Sequence, residues 1–385
     1  MDYHEAANFL FDLRRFRPKP GTDSTANLLS HLGNPHDGGR FVQVAGSNGK
    51  GSTARMTEQV LREAGLSVGL YTSPHFDDVR ERVTVDGRKI TETAIVEYVE
   101  SVYDYVTETA TRGDSPTFFE GMTAMALWYF AREDVDVAIL EVGIGGRYDA
   151  TSVIDPVAAA VTSVTLEHTG ILGDTIEEIA TDKAHVAPET TPLVTGTRGD
   201  ALDAVRKQAG DVIVVGDGED DDSDVRATYD GRTNHTEAAV SISGADWSVG
   251  TEIPLLGEYQ AQNAGIAAAL ARQVADVTEN EIARGLRKGF WPGRFEVMGT
   301  DRSSCLTART TRVRVRPSPT PSRSSTTTTF TSSSARCTTR TFRGWPTRFR
   351  RRTTSSLPAR TTAGRRTKRS SHGCSRNTGS SASSE

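Results

Sequence analysis

The 385-residue chain predicts an α/β fold: a mainly parallel sheet covered by helices, with a small antiparallel sheet appended. Three observations carry this. Between residue 41 and about residue 215, short apolar runs alternate with helical stretches, the order that builds parallel strands joined by helices. The runs are apolar at successive positions, so neither face of those strands is made for water. Residues 216–253 then change to acidic loops and alternating runs such as Ala238-Ala239-Val240-Ser241-Ile242, which read as antiparallel strands.

Taken in order, the first element is an N-terminal surface helix, because Phe9, Leu10, Leu13 and Phe16 recur at helical spacing. The same stretch lacks the apolar core of a secretion signal, and no run approaches the roughly 20 apolar residues of a membrane span. A soluble cytoplasmic protein is the expectation. Strands are predicted at 41–45, 67–71, 136–142, 157–162, 192–195 and 212–215. Helices are predicted at 54–64, 91–109, 118–131, 175–186 and 200–208, and helix returns over 261–288. One domain is expected over residues 1–298.

The net charge of −5 conceals a division near residue 300. Residues 1–300 hold 26 Lys and Arg against 48 Asp and Glu, a net of −22, whereas residues 301–385 carry +17. An acidic domain with runs such as Glu219-Asp220-Asp221-Asp222 argues against a general nucleic-acid binder. It suits a protein kept hydrated in high salt. All three cysteines (Cys305, Cys337, Cys374) lie beyond residue 300 without metal-ligand spacing, so the acidic part uses no thiol chemistry.

Residues 299–385 are mostly Ser, Thr and Arg, and no apolar period is sustained. Such a composition does not bury enough surface to offset the entropy of ordering, so a disordered or non-native segment is expected. One reading is a basic tail for nucleic acid. The other is a shifted reading frame. Residues 301–312, spelled with GC-rich codons and read two bases later, give Pro-Leu-Val-Val-Leu-Asp-Gly-Ala-His-Asn-Pro, an apolar strand running into a polar loop. The shifted frame is the reading preferred here.

The most informative stretch is 41–53, Phe-Val-Gln-Val-Ala-Gly-Ser-Asn-Gly-Lys-Gly-Ser-Thr. A β-branched strand, a loop with three glycines and a following helix build a phosphate cradle, with backbone N–H groups and the positive helix end facing the anion. The pattern departs from the strict P-loop, since Val44 stands where the first glycine belongs and Gly51 separates Lys50 from Ser52. A tight turn would use the same glycines; the flanking strand and helix favour a P-loop-like ATP site. Ser52 or Thr53 is then placed to ligate a magnesium ion.

Four further segments stand out. Tyr71-Thr72-Ser73-Pro74-His75 follows a predicted strand, where loops line the ligand crevice. Glu141 ends the apolar run Val137-Ala138-Ile139-Leu140, well placed for Mg²⁺, and Gly145, Gly146, Arg147 and Asp149 follow it. Glu167-His168 follows the strand near 157–162, and Lys183 sits inside a predicted helix. Singly, each has a bland alternative: a turn, a surface carboxylate, a structural histidine, a solvated lysine.

Together they resemble the folylpolyglutamate synthase and dihydrofolate synthase family of the Mur ligase superfamily. The resemblance runs through Leu32-Gly33-Asn34-Pro35, the segment 44–53, Tyr71 to His75, Thr117-Phe118-Phe119-Glu120, the segment 140–151 and Glu167-His168. It continues through Lys183, Gly257-Glu258-Tyr259-Gln260-Ala261-Gln262-Asn263 and Trp291-Pro292-Gly293-Arg294-Phe295-Glu296. Its next motif is Asp-Gly-Ala-His-Asn-Pro, the string recovered by shifting the frame.

The resemblance implies roles. Gly49, Lys50, Gly51 and Ser52 would hold ATP phosphates, with Asn263 and Arg294 as further ATP contacts. Ser52, Ser73 and Glu141 would serve one Mg²⁺, and Glu141 and His168 a second. Lys183 looks like the family lysine that CO₂ carbamylates into a metal-holding anion, and Lys50, Lys183, His168 and Asp149 form the implied catalytic set. Thr117, Phe118, Phe119, Glu120, Tyr148, Asp149 and Ala150 resemble pterin-binding segments. The implied partners are small molecules, a folate or dihydropteroate and L-glutamate, with no nucleic acid, no membrane and a monomeric chain. Glu167 stands where the family has Asp, Ala184-His185 replaces Ala-Gly, and Tyr259 replaces a common His. Other Mur-type ligases, and a non-catalytic ATP-binding remnant, are the alternative readings.

Overall fold

The computed structural model describes residues 1–17, 21–217 and 222–291, with the backbone of two short strands after them. Helices α1 (Tyr3–Asp12) and α2 (Asp23–His31) come first, followed by β1 (Phe41–Ala45), α3 (Lys50–Glu63) and β2 (Val68–Tyr71). A hairpin of β3 (Val83–Val85) and β4 (Arg88–Lys89) leads to α4 (Glu92–Thr111), α5 (Phe118–Arg132) and β5 (Val137–Glu141). Then come β6 (Pro156–Val161), α6 (Thr169–Leu172), α7 (Ile176–Ala184), β7 (Leu193–Thr195), α8 (Asp200–Gln208) and β8 (Val212–Gly216). Strands β9 (Val225–Arg232), β10 (Ala238–Ser243) and β11 (Ser248–Ile253) precede α9 (Tyr259–Val274) and α10 (Glu279–Arg287). A separate antiparallel pair, β12 (Glu296–Gly299) and β13 (Ser304–Leu306), closes the described part.

Eleven strands share one sheet in the order β11-β10-β9-β8-β7-β6-β1-β5-β2-β3-β4. The run from β8 to β2 is parallel throughout. Its order reverses about β1, with β5 and β2 on one side and β6 to β8 on the other, so the crevice of the sheet opens beyond the C-terminal end of β1. The antiparallel strands extend the same sheet, because Val215 and Gly216 pair in parallel with Val225 and Arg226.

Side chains on β1 divide between two layers, as the two-residue period of a strand requires. Val42 and Val44 join Met56, Val60, Leu61, Ile266, Leu270 and Ile282 under α3, α9 and α10. Phe41 joins Leu10, Leu28, Tyr98, Met122 and Phe130 on the opposite layer with α1, α2, α4 and α5. A third cluster packs α7 and α8 onto β6 and β7.

All six expected parallel strands are present. Helix α3 begins at Lys50 rather than Ala54, and the helix expected over 261–288 is broken between Val274 and Glu279. Thr278 caps the second piece in a reciprocal box with Glu281. The hairpin β3–β4 was absent from the sequence reading; Asp86 (φ 50°) and Gly87 (φ 74°) make its two-residue turn. Arg294 and most of residues 299–385 lie outside the described residues, apart from the strand Ser304–Leu306. Among the described residues no helix is long and apolar enough to cross a membrane.

Candidate active site

The end of β1 delivers the chain into a loop pinned to the end of β6. Ser47 N–H donates to the Ser163 carbonyl at 2.7 Å, and the Thr162 hydroxyl donates to the Asn48 carbonyl at 2.6 Å. Gly46 (φ 136°) leaves no room for a side chain, since a Cβ there would stand 2.0 Å from Thr162 Oγ1. Gly49, left-handed at φ 89°, caps α3 without a side-chain hydrogen bond. Thr53 N–H is the first to bond within the helix, to the Gly49 carbonyl, so the N–H groups of the first turn and the positive helix end face outward. A helix N-terminus of this kind suits an anion.

Three more features close on the loop. Lys50 Nζ donates to the Gly46 carbonyl at 2.8 Å, keeping its charge over the cradle. Asn263, from the second turn of α9, donates to Gln260 Oε1 at 2.9 Å, and its own carbonyl abuts Gly49. Among the described residues the buried Thr53 Oγ1 and Gln260 Nε2 have no hydrogen-bond partner.

Glu141 ends β5 next door to β1 and is 4% exposed. Its Oε2 accepts from Ser73 N–H at 2.8 Å, which draws the loop after β2 to the same point. Both carboxylate oxygens lie 3.4 and 3.5 Å from where a Gly51 side chain would begin, and Trp291 Nε1 approaches the same spot at 3.5 Å. Residues from β1, β2 and β5 thus meet at the N-terminus of α3, as their place at the C-terminal edge of a parallel sheet demands.

Lys183, on α7, is 2% exposed and its Nζ donates to Glu167 Oε1 at 3.1 Å. Burial lowers the Lys183 pKa, and the nearby Lys50 charge adds to this against the pull of Glu167. Burial tends to raise Glu167, yet the Lys183 charge and the Ser47 hydroxyl hold it below its ordinary value. Lys183, Glu167, Ser47 and Lys50 therefore form one charged seam along the loop. His168, next to Glu167 in the chain, is exposed and left-handed (φ 49°) at the head of α6. Among the described residues no three His, Cys, Asp or Glu side chains cluster as a metal site.

On the other side lie the expected pterin segments. Thr117 and Glu120 form a capping box at the head of α5. Phe118 and Ala150 are buried, and the Phe119 ring packs 5.8 Å from Tyr71, centroid to centroid. A Cβ on Gly143 would meet Phe119 at 2.7 Å and Asp149 Oδ2 at 3.0 Å. Asp149, expected in catalysis, has both oxygens filled by chain donors: Gly143 N–H, Ile144 N–H, Thr151 N–H and the Thr151 hydroxyl. Its carboxylate shapes the turn, and burial raises its pKa despite these bonds. Tyr148 is 55% exposed, with the Arg147 guanidinium over its ring.

Sequence reasoning missed a pair behind these aromatics. Arg82 Nε donates to His75 Nδ1 at 2.7 Å, and burial followed by the charges of Arg82 and Arg14 lowers the His75 pKa to about 4. No local spacing announces it, because the two meet through a loop excursion.

Residues 44–271 match the Mur ligase middle domain. The dihydrofolate synthase/folylpolyglutamate synthase of Bacillus subtilis is 34% identical over 314 residues, 77% of this chain and 70% of that protein. The chain belongs to the folylpolyglutamate synthase and dihydrofolate synthase family. A probable bifunctional folylpolyglutamate synthase/dihydropteroate synthase of Halobacterium salinarum is 69% identical over 303 residues, 78% of this chain. The chain spans 37% of the length of that relative. A solved FPGS–AMPPCP–folate complex superposes with a TM-score of 0.73 at 33% identity, covering 80% of this chain and 76% of the other. The matched span of residues 44–271 contains the glycine loop, Ser73, Glu141, Lys183 and Asn263.

Proposed function

We propose that this chain carries the nucleotide- and pteridine-binding part of an ATP-dependent ligase that joins L-glutamate to the carboxylate of a folate or dihydropteroate. The observation that carries the reading is the meeting of Glu141, Ser73 and Gly51 at the N-terminus of α3. A relative solved with AMPPCP and folate supports it.

In this reading the first turn of α3 and Lys50 hold the phosphates, with Asn263 and Gln260 beside them. The acid to be activated lies toward Phe119 and Tyr148, where the aromatic faces suit a flat pteridine. The γ-phosphoryl group passes to its carboxylate, giving an acyl phosphate; the glutamate amine attacks and phosphate leaves. Lys50 and the helix N-terminus stabilise charge spread over the transferring group. The buried carboxylate of Glu141 beside the cradle, with Ser52 and Ser73, fits Mg²⁺, which when bound would neutralise phosphate oxygens. Lys183 in its amine form pairs with Glu167, and the family's carbamylation would turn it into an anion at this seam.

A second reading is a non-catalytic ATP-binding remnant, favoured by the Ser, Thr and Arg composition after residue 300. The discriminating experiment measures ATP binding and glutamate ligation by the 385-residue chain beside a frame-corrected version. Ligation by the corrected version alone supports both the family chemistry and the remnant. Absence of ATP binding in both would end the ligase reading.

A further inference from the structure

The pair Gly145-Gly146 sits where the loop after β5 crosses the C-terminal half of α7, and the contact there is closer than packing alone requires. Gly146 N–H donates to Asp182 Oδ1 at 2.9 Å. A Cβ on Gly146 would stand 2.6 Å from the Asp182 carbonyl oxygen and 2.7 Å from that of Lys183. Gly145 is left-handed (φ 71°), and a Cβ there would meet Asp182 Oδ1 at 2.3 Å and Leu172 at 2.6 Å. On the far side of the turn the Ser152 hydroxyl donates to the Gly146 carbonyl at 2.5 Å, and Gln43, from β1, donates to Ser152 and Thr151. The loop is therefore flush against helix backbone on one side and tied to the central strand on the other.

We propose that Asp182 is a positioning residue that locks residues 143–149 onto α7. The loop carries Tyr148 and Asp149, and Lys183 is the next residue of the helix. Through the Gly146 bond the aromatic side of the site and the Lys183–Glu167 seam keep one spacing. Two glycines are needed because only bare backbone lets a carboxylate from α7 reach an N–H of the loop. Asp182 touches no reacting group in this scheme and acts through the loop alone. The inference rests on the proposed function for what the loop binds, but not for the lock itself.

The test compares the 385-residue chain with Asp182→Ala and Asp182→Asn. ATP affinity is read by calorimetry and dihydropteroate affinity by the fluorescence of that compound. Asp182→Ala is expected to weaken dihydropteroate binding by about tenfold, the size of one lost charge-assisted hydrogen bond, while ATP affinity stays within about twofold. Asp182→Asn keeps an acceptor for Gly146 N–H and is expected to bind the pteridine nearly as well as the unsubstituted chain. Equal loss in both variants, or no loss in Asp182→Ala, overturns the lock. Hydrogen exchange on the unsubstituted chain decides the case if Asp182→Ala does not fold: the peptides over 143–149 and α7 should open together, and independent opening sinks the proposal. An unsubstituted chain that binds ATP but no pteridine would instead undo the functional reading, leaving the exchange result to judge the lock.

Discussion

The side-chain carbonyl of Asn263 occupies the space that a Gly49 side chain would need, with Oδ1 2.4 Å from the position of the missing Cβ. Two residues 214 positions apart in sequence thereby fix the shape of the cradle, the glycine supplying the left-handed turn (φ 89°) and the asparagine its lid.

Gly49→Ala should therefore lose on two counts, backbone strain of ~1–2 kcal/mol and displacement of Asn263. ATP affinity is expected to fall at least tenfold (about 1.4 kcal/mol) by titration. Gly51→Ala is the control, because its nearest neighbours, the Glu141 oxygens, stand at ordinary contact distance of 3.4 Å. It should melt like the unsubstituted chain while Gly49→Ala melts lower, and an equal fall in melting temperature from both changes would refute this account of the loop.

Among the described residues the Lys50 side chain makes one hydrogen bond, to the Gly46 carbonyl, so its removal costs the fold little. Lys50→Ala is expected to abolish ATP-dependent glutamate ligation in a frame-corrected chain while shifting the melting temperature by only a few degrees. Retained turnover would reject the role given to this lysine.

His75 titrates near 6.5 when unfolded and at about 4 in the fold. Between those values the unfolded chain binds more protons, so stability rises with pH; the contribution is complete above pH 6.5 and is lost as pH falls toward 4. The span corresponds to roughly 3 kcal/mol at most. His75→Asn keeps an acceptor for Arg82 and should flatten this part of the acid limb in denaturant melts taken from pH 7 to 4. An unchanged difference between variant and parent across that range would contradict the buried neutral imidazole.

Gly285 lets α10 lie directly on α3, for a Cβ there would come within 2.4 Å of Val60 Cα. Gly285→Ala forces the helices apart and should destabilise by about 1–3 kcal/mol. Urea melts give the answer, and a variant as stable as its parent would mean the packing is looser than described.

The acidic part of the chain predicts a salt effect. A net of −22 over residues 1–300 repels itself, and salt screens that repulsion. The melting temperature should climb steadily as potassium chloride is raised from dilute buffer to molar concentration. A flat profile would dismiss the high-salt reading.

Much of this was legible beforehand. The buried parallel strands announced themselves because Val42, Val44, Ile139 and Ala160 sit in runs that no wet strand would carry. The hairpin at Asp86-Gly87 carried a turn signal that short flanking strands concealed. The start of α3 was misplaced because Gly51, Ser52 and Thr53 are weak helix formers, held helical here by tertiary contacts. Thr117 and Glu120, which resemble pterin contacts, also form the capping box of α5, a pattern readable from their spacing of three.

By itself the sequence determined the alternation of strand and helix, the glycine cradle and the family to which the chain belongs, since all of these are written in local order and spacing. Only the tertiary structure decided that Glu141 faces Gly51, that Asn263 covers Gly49 and that Asp182 reaches Gly146. Such pairings depend on which strands become neighbours in the sheet and how closely bare backbone lets two segments approach, and neither distance is encoded in any short stretch of chain.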